Sequence, residues 1–270
     1  MKKTFTKKKS AFSLIELSIV LIIIGLLIAG VTGGASLIKS SELRSVMGEA
    51  RGFAVAVNAF FTQYNALPGD YSIGIKNATI VGDADNEIDY YRAASASGSE
   101  SANAWATLRH IGAIDSLSTA DPVIATTQPV FGTTATATAP GSKVKGAGWV
   151  FDYRRQIEGV AAAAANQNTV ILTATMTVAP TAGAISPLGT STAVSNAVAA
   201  IIGADALSID AKIDDGIANA GKVRGVNPGI DNDATTGHTC YAYSASAASN
   251  YITTGSAKVC ALSYQVDVNS

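Results

Sequence analysis

"KKKSAFSLIELSIVLIIIGLLIAG", residues 7–30, sets three lysines ahead of a phenylalanine and then a single carboxylate, Glu16, inside an otherwise apolar run. As a helix, the segment from Phe12 to Val31 reaches about 30 Å, the hydrocarbon thickness of a bilayer. Lysines are retained on the cytoplasmic side, so the expected orientation is N-in and C-out, with everything after about residue 35 on the far side of the membrane. Glu16 is what a plain anchor would not choose. An acid near the middle of a spanning helix costs about 2.5 to 3.5 kcal/mol, less near an end, and such a group usually has a partner. A cut between Ala11 and Phe12 would supply one, because the new Phe12 amine would lie one helical turn from Glu16, or from Glu16 of a neighbouring copy. Two plainer readings compete. A secretory signal could end at Gly33 to Ala35, though an acid breaks the apolar start of a signal. An uncleaved signal anchor fits the topology but leaves Glu16 unpaired.

Composition narrows the class. Of 270 residues 48% are apolar, enough to bury a core, while only 14% are charged and 25 are glycine, an unusual balance for a cytosolic enzyme. Lys2, Lys3, Lys7, Lys8 and Lys9 are five of the 19 bases, which leaves 14 against 20 acids in the body of the chain. A surface for nucleic acid needs clustered Lys and Arg, so no nucleic-acid partner is expected.

Past the apolar run the pattern turns amphipathic. Leu43, Val46, Ala50, Phe53, Val57, Phe60 and Tyr64 recur at steps of three and four, with Glu42, Arg44, Glu49 and Arg51 off the stripe. One helix is therefore expected from about 12 to 65, ended by Pro68 and Gly69 of "NALPGD". Its second half should pack as core, and its first half, with Gly25, Gly30, Gly33 and Gly34, offers sites of close helix approach. Trp105, Leu108 and Ile111 predict a short helix ending at Gly112, and a further helix is expected between 190 and 213, closing at Gly216. Residues 149–153, 169–178, 240–243 and 259–266 read as strands. Residues 116–147 read as a long loop or inserted hairpin. The fold class is α+β with an antiparallel sheet.

The opening stretch resembles the leader and N-terminal helix of type IV prepilins and of the pseudopilins of type II secretion systems. The resemblance covers about 25 residues. It implies a pilin-like fold, with a long protruding N-terminal helix packed at its C-terminal half on the sheet. It also implies a basic leader, residues 1–11, removed by a prepilin peptidase, a membrane or filament-core helix over 12–35, and a periplasmic or extracellular head over 36–270. Phe12 would be N-methylated, and Glu16 would dock subunits, copies of this chain or its siblings, in a pilus or a periplasmic pseudopilus. Two departures from the family pattern stand out: Ala11 replaces the usual glycine before the cut, and Gly33 with Gly34 stands where many pilins have proline, which suggests softening of the helix without a kink. The large, loop-rich head suits a minor subunit. "ALPGDY" and "IDAKIDDGIANAGKVRG" also resemble, more loosely, segments of bacterial prepilin-like chains.

Cys240 and Cys260 are the two cysteines. In an exported domain such a pair is most simply a disulfide, with free buried thiols as the alternative; a zinc site would want four ligands, and His238 adds one. The resemblance strengthens the disulfide, since many type IV pilins bracket a C-terminal region with one. "GDADNEID" offers Asp83, Asp85, Glu87 and Asp89 as oxygen ligands for calcium, which some pseudopilins bind in surface loops. It fails as an EF-hand, because Ile88 and Ala94 stand where Gly and Glu are needed, and a solvated acidic turn is the simpler reading. Asp210, Asp214 and Asp215 are expected to serve a helix end and a turn. No G-x-S-x-G, H-E-x-x-H or P-loop pattern occurs, and His110 and His238 are the two histidines. No catalytic site and no cofactor are expected. The rival class is an exported enzyme or binding domain tethered by a signal anchor.

Overall fold

In the computed structural model the described residues are 13–70, 82, 84–90, 99–114, 131, 138–154, 167–176, 197–229, 239–242 and 248–266. Ala11, Phe12, Asp83 and His238 lie outside them, as does most of the expected loop 116–147 and the start of the expected helix at 190.

Helix α1 runs from Leu14 to Tyr64, through Gly33 and Gly34 without a break. The chain divides into two compact units, Met1–Glu42 and Leu43–Ser270. In the first unit, the apolar side chains from Leu14 to Ile38 are exposed, and Lys39 pairs with Glu42 at 3.4 Å. Hydroxyls in this run turn back to the helix, Ser18 Oγ donating to Ile15 O and Thr32 Oγ1 to Ile28 O, so they do not stand bare among apolar side chains. In the second unit Leu43, Val46, Ala50, Val57 and Phe60 are buried as their spacing predicts, joined by Met47 and Ala56. The helix ends where expected. Asn65 adopts a φ of 51°, and Gly69 has φ 92° with its missing Cβ position 2.4 Å from Glu100 O, so any side chain there would collide with backbone.

Helix α2, Glu100–His110, starts on Ser99, whose side chain accepts from Ala102 N–H, and finishes ahead of Gly112 at φ 72°. Trp105 and Leu108 are buried, as the spacing predicts. The Phe53 ring meets Trp105 edge-on with centroids 4.8 Å apart, and Trp105 lies 4.1 Å from Phe151. These rings tie α1, α2 and the sheet into one core.

The sheet has the order β1-β2-β4-β3, formed by β1 (Ala147–Arg154), β2 (Gln167–Ala174), β3 (Val223–Val226) and β4 (Ala261–Gln265), with each neighbouring pair antiparallel. Val150, Phe151, Val170, Ile171 and Leu172 are fully buried. Both outer edges are occupied. On β1, Phe151 N–H donates to Ser101 Oγ and Trp149 N–H to Pro140 O; on β3, Gly225 N–H donates to Ala218 O.

Three expectations change. Residues 240–243 do not form a strand in their described part: Asn227 Oδ1 collects the N–H groups of Thr239, Cys240 and Tyr241, so those donors are unavailable to a ladder, and Tyr241 makes an isolated bridge to Tyr251. The fourth strand is instead β3. Helix α3 spans Gly203–Ile213 and not the longer stretch, because Ala200 and Ile201 donate to Cys260 O in an extended segment ahead of it.

Candidate functional site

Glu16 lies in the first turn of α1, where a carboxylate complements the exposed N–H groups of a helix start. Its Oε2 accepts from Ser13 N–H at 2.9 Å. The side chain therefore folds back toward the chain's N-terminal side, one residue short of Phe12. Ser13 Oγ accepts a longer bond, 3.4 Å, from Ile15 N–H.

In the head, Cys240 and Cys260 are bonded to each other and fully buried. The bond joins the segment capped by Asn227 to the residue preceding β4. The disulfide reading of the pair is correct.

The proposed calcium loop is held by acids beneath it. Asp70, in the turn after α1, accepts from Ala84 N–H at 2.6 Å and Asn86 N–H at 2.9 Å. Asp85 is exposed and accepts from Glu87 N–H, Glu87 is half-buried, and Asp89 is buried, its N–H donating to Glu100 Oε2 at 2.9 Å. Asn168 at the start of β2 accepts from Ile88 N–H, and Asp152 of β1 accepts from Tyr90 N–H. Burial pushes the Glu100 carboxyl up to about 8, with the charges of Asp89, Asp70 and Asp85 adding to it. Burial also raises Asp70, against the backbone N–H groups that favour its ionised form.

Among the described residues, the carboxylates that bring oxygens within 4.8 Å of one another are Asp210, Asp214 and Asp215. Each serves the end of α3 and the turn after it. Asp210 accepts from Gly216 N–H and from Tyr251 O–H at 2.9 Å, Asp214 accepts from Lys222 N–H, and Asp215 from Ile217 N–H. Burial lifts Asp210 to about 6, although the Tyr251 hydroxyl works the other way. His110 ends α2 and is exposed.

Two polar positions were not singled out from sequence. Glu49, read only as lying off the apolar stripe, accepts from Ser142 Oγ at 2.7 Å, Trp149 Nε1 at 2.8 Å and Lys143 N–H at 3.1 Å. Glu100 closes the 84–90 loop from across a gap of 11 residues. Neither has a local signal, since its partners are set by tertiary structure; a helical acid beside the apolar stripe is the one clue for Glu49.

A family model described as the prokaryotic N-terminal methylation motif matches residues 6–32. No curated protein matches the chain, and neither does a solved structure. Residues 6–32 are thus a prepilin-type N-terminal segment, carried by a chain with the α+β layout of a pilin: one long N-terminal helix and a four-stranded antiparallel sheet.

Proposed function

We propose that this protein is a structural subunit, a minor one, of a type IV pilus or a type II secretion pseudopilus. In this reading a prepilin peptidase cuts between Ala11 and Phe12, the new Phe12 amine is methylated, and the helix leaves the inner membrane to join copies or siblings in a filament. The observation that carries it is the match over residues 6–32 together with Glu16, a lone carboxylate turned back on Ser13 N–H beside the cut. A cationic amine at Phe12 would compete for that carboxylate with a charge-assisted bond, stronger than the neutral N–H it now accepts. Removing one partner of a charge pair in an apolar setting costs about 3 to 5 kcal/mol, enough to make the pair a checkpoint for insertion.

Glu16→Val is expected to leave membrane insertion intact and to abolish most incorporation into sheared filaments; normal incorporation refutes the role. Mass spectrometry of the purified protein is expected to give a chain starting at methylated Phe12. The proposed role needs no enzymatic activity and no cofactor, so calcium titration is expected to give no heat and no rise in melting temperature. Heat with such a rise that is lost in Asp85→Asn with Glu87→Gln would assign the 83–89 loop as a site, and the same signal lost only in Asp214→Asn with Asp215→Asn would assign the turn after α3.

A further inference from the structure

In the second compact unit, bases gather around the first turns of its part of α1. Arg44 is exposed on the helix, and Glu49, a little further on, fastens the turn ahead of β1 to it through Ser142 Oγ, Lys143 N–H and Trp149 Nε1. That turn is closed by the Gly141 and Gly148 bridge and by Ala147 N–H donating to Val144 O at 3.0 Å, and it exposes Lys143 and Lys145. Lys258, also exposed, donates from Nζ to Lys145 O at 3.1 Å and adds a third ammonium. At roughly 100° per residue Arg44 and Glu49 stand about 140° apart around the axis, so the bases flank α1 on two sides.

These charges are not neutralised within the described residues. Arg44, Lys143, Lys145 and Lys258 are in no ion pair there, and Glu49, the acid beside them, is directed inward onto the turn. Residues 132–137, which lead toward the turn in sequence, include no charged side chain. Bases gathered in this way repel one another, and a surface of opposite sign relieves that repulsion.

The length of α1 decides which surface that is. Its exposed apolar run ends at Ile38, from which Arg44 follows after about 9 Å of helix and Glu49 after about 16 Å. The polar headgroup layer outside the hydrocarbon takes up about 5 to 7 Å of that length. Arg44 is thus level with the headgroups, and the lysine turn stands about 10 Å above them, a gap that lysine stems and a Debye length of about 8 Å cover. We propose that the head docks Arg44, Lys143, Lys145 and Lys258 on anionic phospholipid headgroups of the bilayer that holds α1, before assembly draws the subunit out. This rests on the membrane stage of the reading above and names what the head touches there. Because the helix tethers the head, weak attraction suffices: each base near an anionic surface favours the docked state about fivefold, and the contact weakens with salt.

The test uses the full-length chain reconstituted into vesicles of phosphatidylcholine, alone or with about 30% phosphatidylglycerol. With Cys240 and Cys260 bonded to each other, a fluorophore on Ala257→Cys marks the exposed segment beside Lys258, and a quencher attached to lipid headgroups reports how close it lies to the bilayer. Quenching is expected to be about twofold greater with the anionic lipid and to fall to the phosphatidylcholine value in about 0.5 M salt. It should fall equally in the variant carrying Lys143→Gln, Lys145→Gln and Lys258→Gln, and persist in the one carrying Lys143→Arg, Lys145→Arg and Lys258→Arg. Equal quenching in the two vesicles, or no change with the three glutamine substitutions, overturns the lipid contact; if those substitutions instead lower sheared filament mass, the bases meet a sibling subunit. Loss in the arginine variant overturns it as well, because charge is then not what counts. Faster mobility on a non-reducing gel than on a reducing one, reporting Cys240–Cys260, checks that each variant has folded. An unaltered chain that floats with neither vesicle would sink the membrane reading itself, which keeps the two failures apart.

Discussion

Glu100 is a buried acid held by one backbone N–H, and its carboxyl is lifted from the usual carboxylate range to about 8. The sign of its effect follows from proton uptake: where the folded pKa exceeds the unfolded one, the native state binds more protons, and stability falls as pH rises through the interval between them. Asp70, raised, and Asp210, raised to about 6, act in the same direction. On these groups melting temperature should therefore be highest at about pH 4 and decline toward about pH 8, with the Glu100→Gln variant showing a flatter profile; a profile rising over that window refutes the assignment. Reduction of Cys240–Cys260, which closes a loop with a sequence separation of 20, should lower unfolding free energy by about 3 kcal/mol in urea titrations. The cysteine pair was legible because an even count, read with the expectation of export, constrains it. Glu100 was not, because a carboxyl at a helix start is ordinarily exposed and nothing local marks this one as buried.

Glu49 joins two elements, α1 and β1, through Trp149 Nε1, with Ser142 and Lys143 on the turn that leads into the strand. Trp149 is buried, so Glu49→Ala leaves an indole N–H without its acceptor and should cost about 1 to 3 kcal/mol, read as a lower urea midpoint with altered tryptophan fluorescence. Glu49→Gln keeps an acceptor and should recover part of the loss. At this scale periodicity served well wherever one element bears a long stripe: α1 from Leu43 to Phe60, α2 around Trp105, and the apolar runs of β1 and β2. It failed where backbone groups are claimed by distant partners. Val223–Val226 is too short to show alternation, and the residues before α3 are apolar yet extended because Cys260 takes their N–H groups. Residues 240–243 have strand composition, but a side-chain amide oxygen from Asn227 holds the donors that a ladder would need.

Solubility at the scale of the whole molecule divides along the chain. Among the described residues every exposed large apolar side chain lies between Leu14 and Ile38, Val55 excepted. A fragment beginning at Leu43, where the second compact unit starts, should stay soluble without detergent and unfold in one cooperative step, whereas the full chain should partition into detergent. Aggregation of that fragment would show that the head depends on the preceding helix. The occupied rims of the sheet limit what can pair with them. With Ser101, Pro140 and Ala218 accepting from Phe151, Trp149 and Gly225, these outward N–H groups of β1 and β3 are closed to strand exchange and amyloid-like accretion along the described sheet.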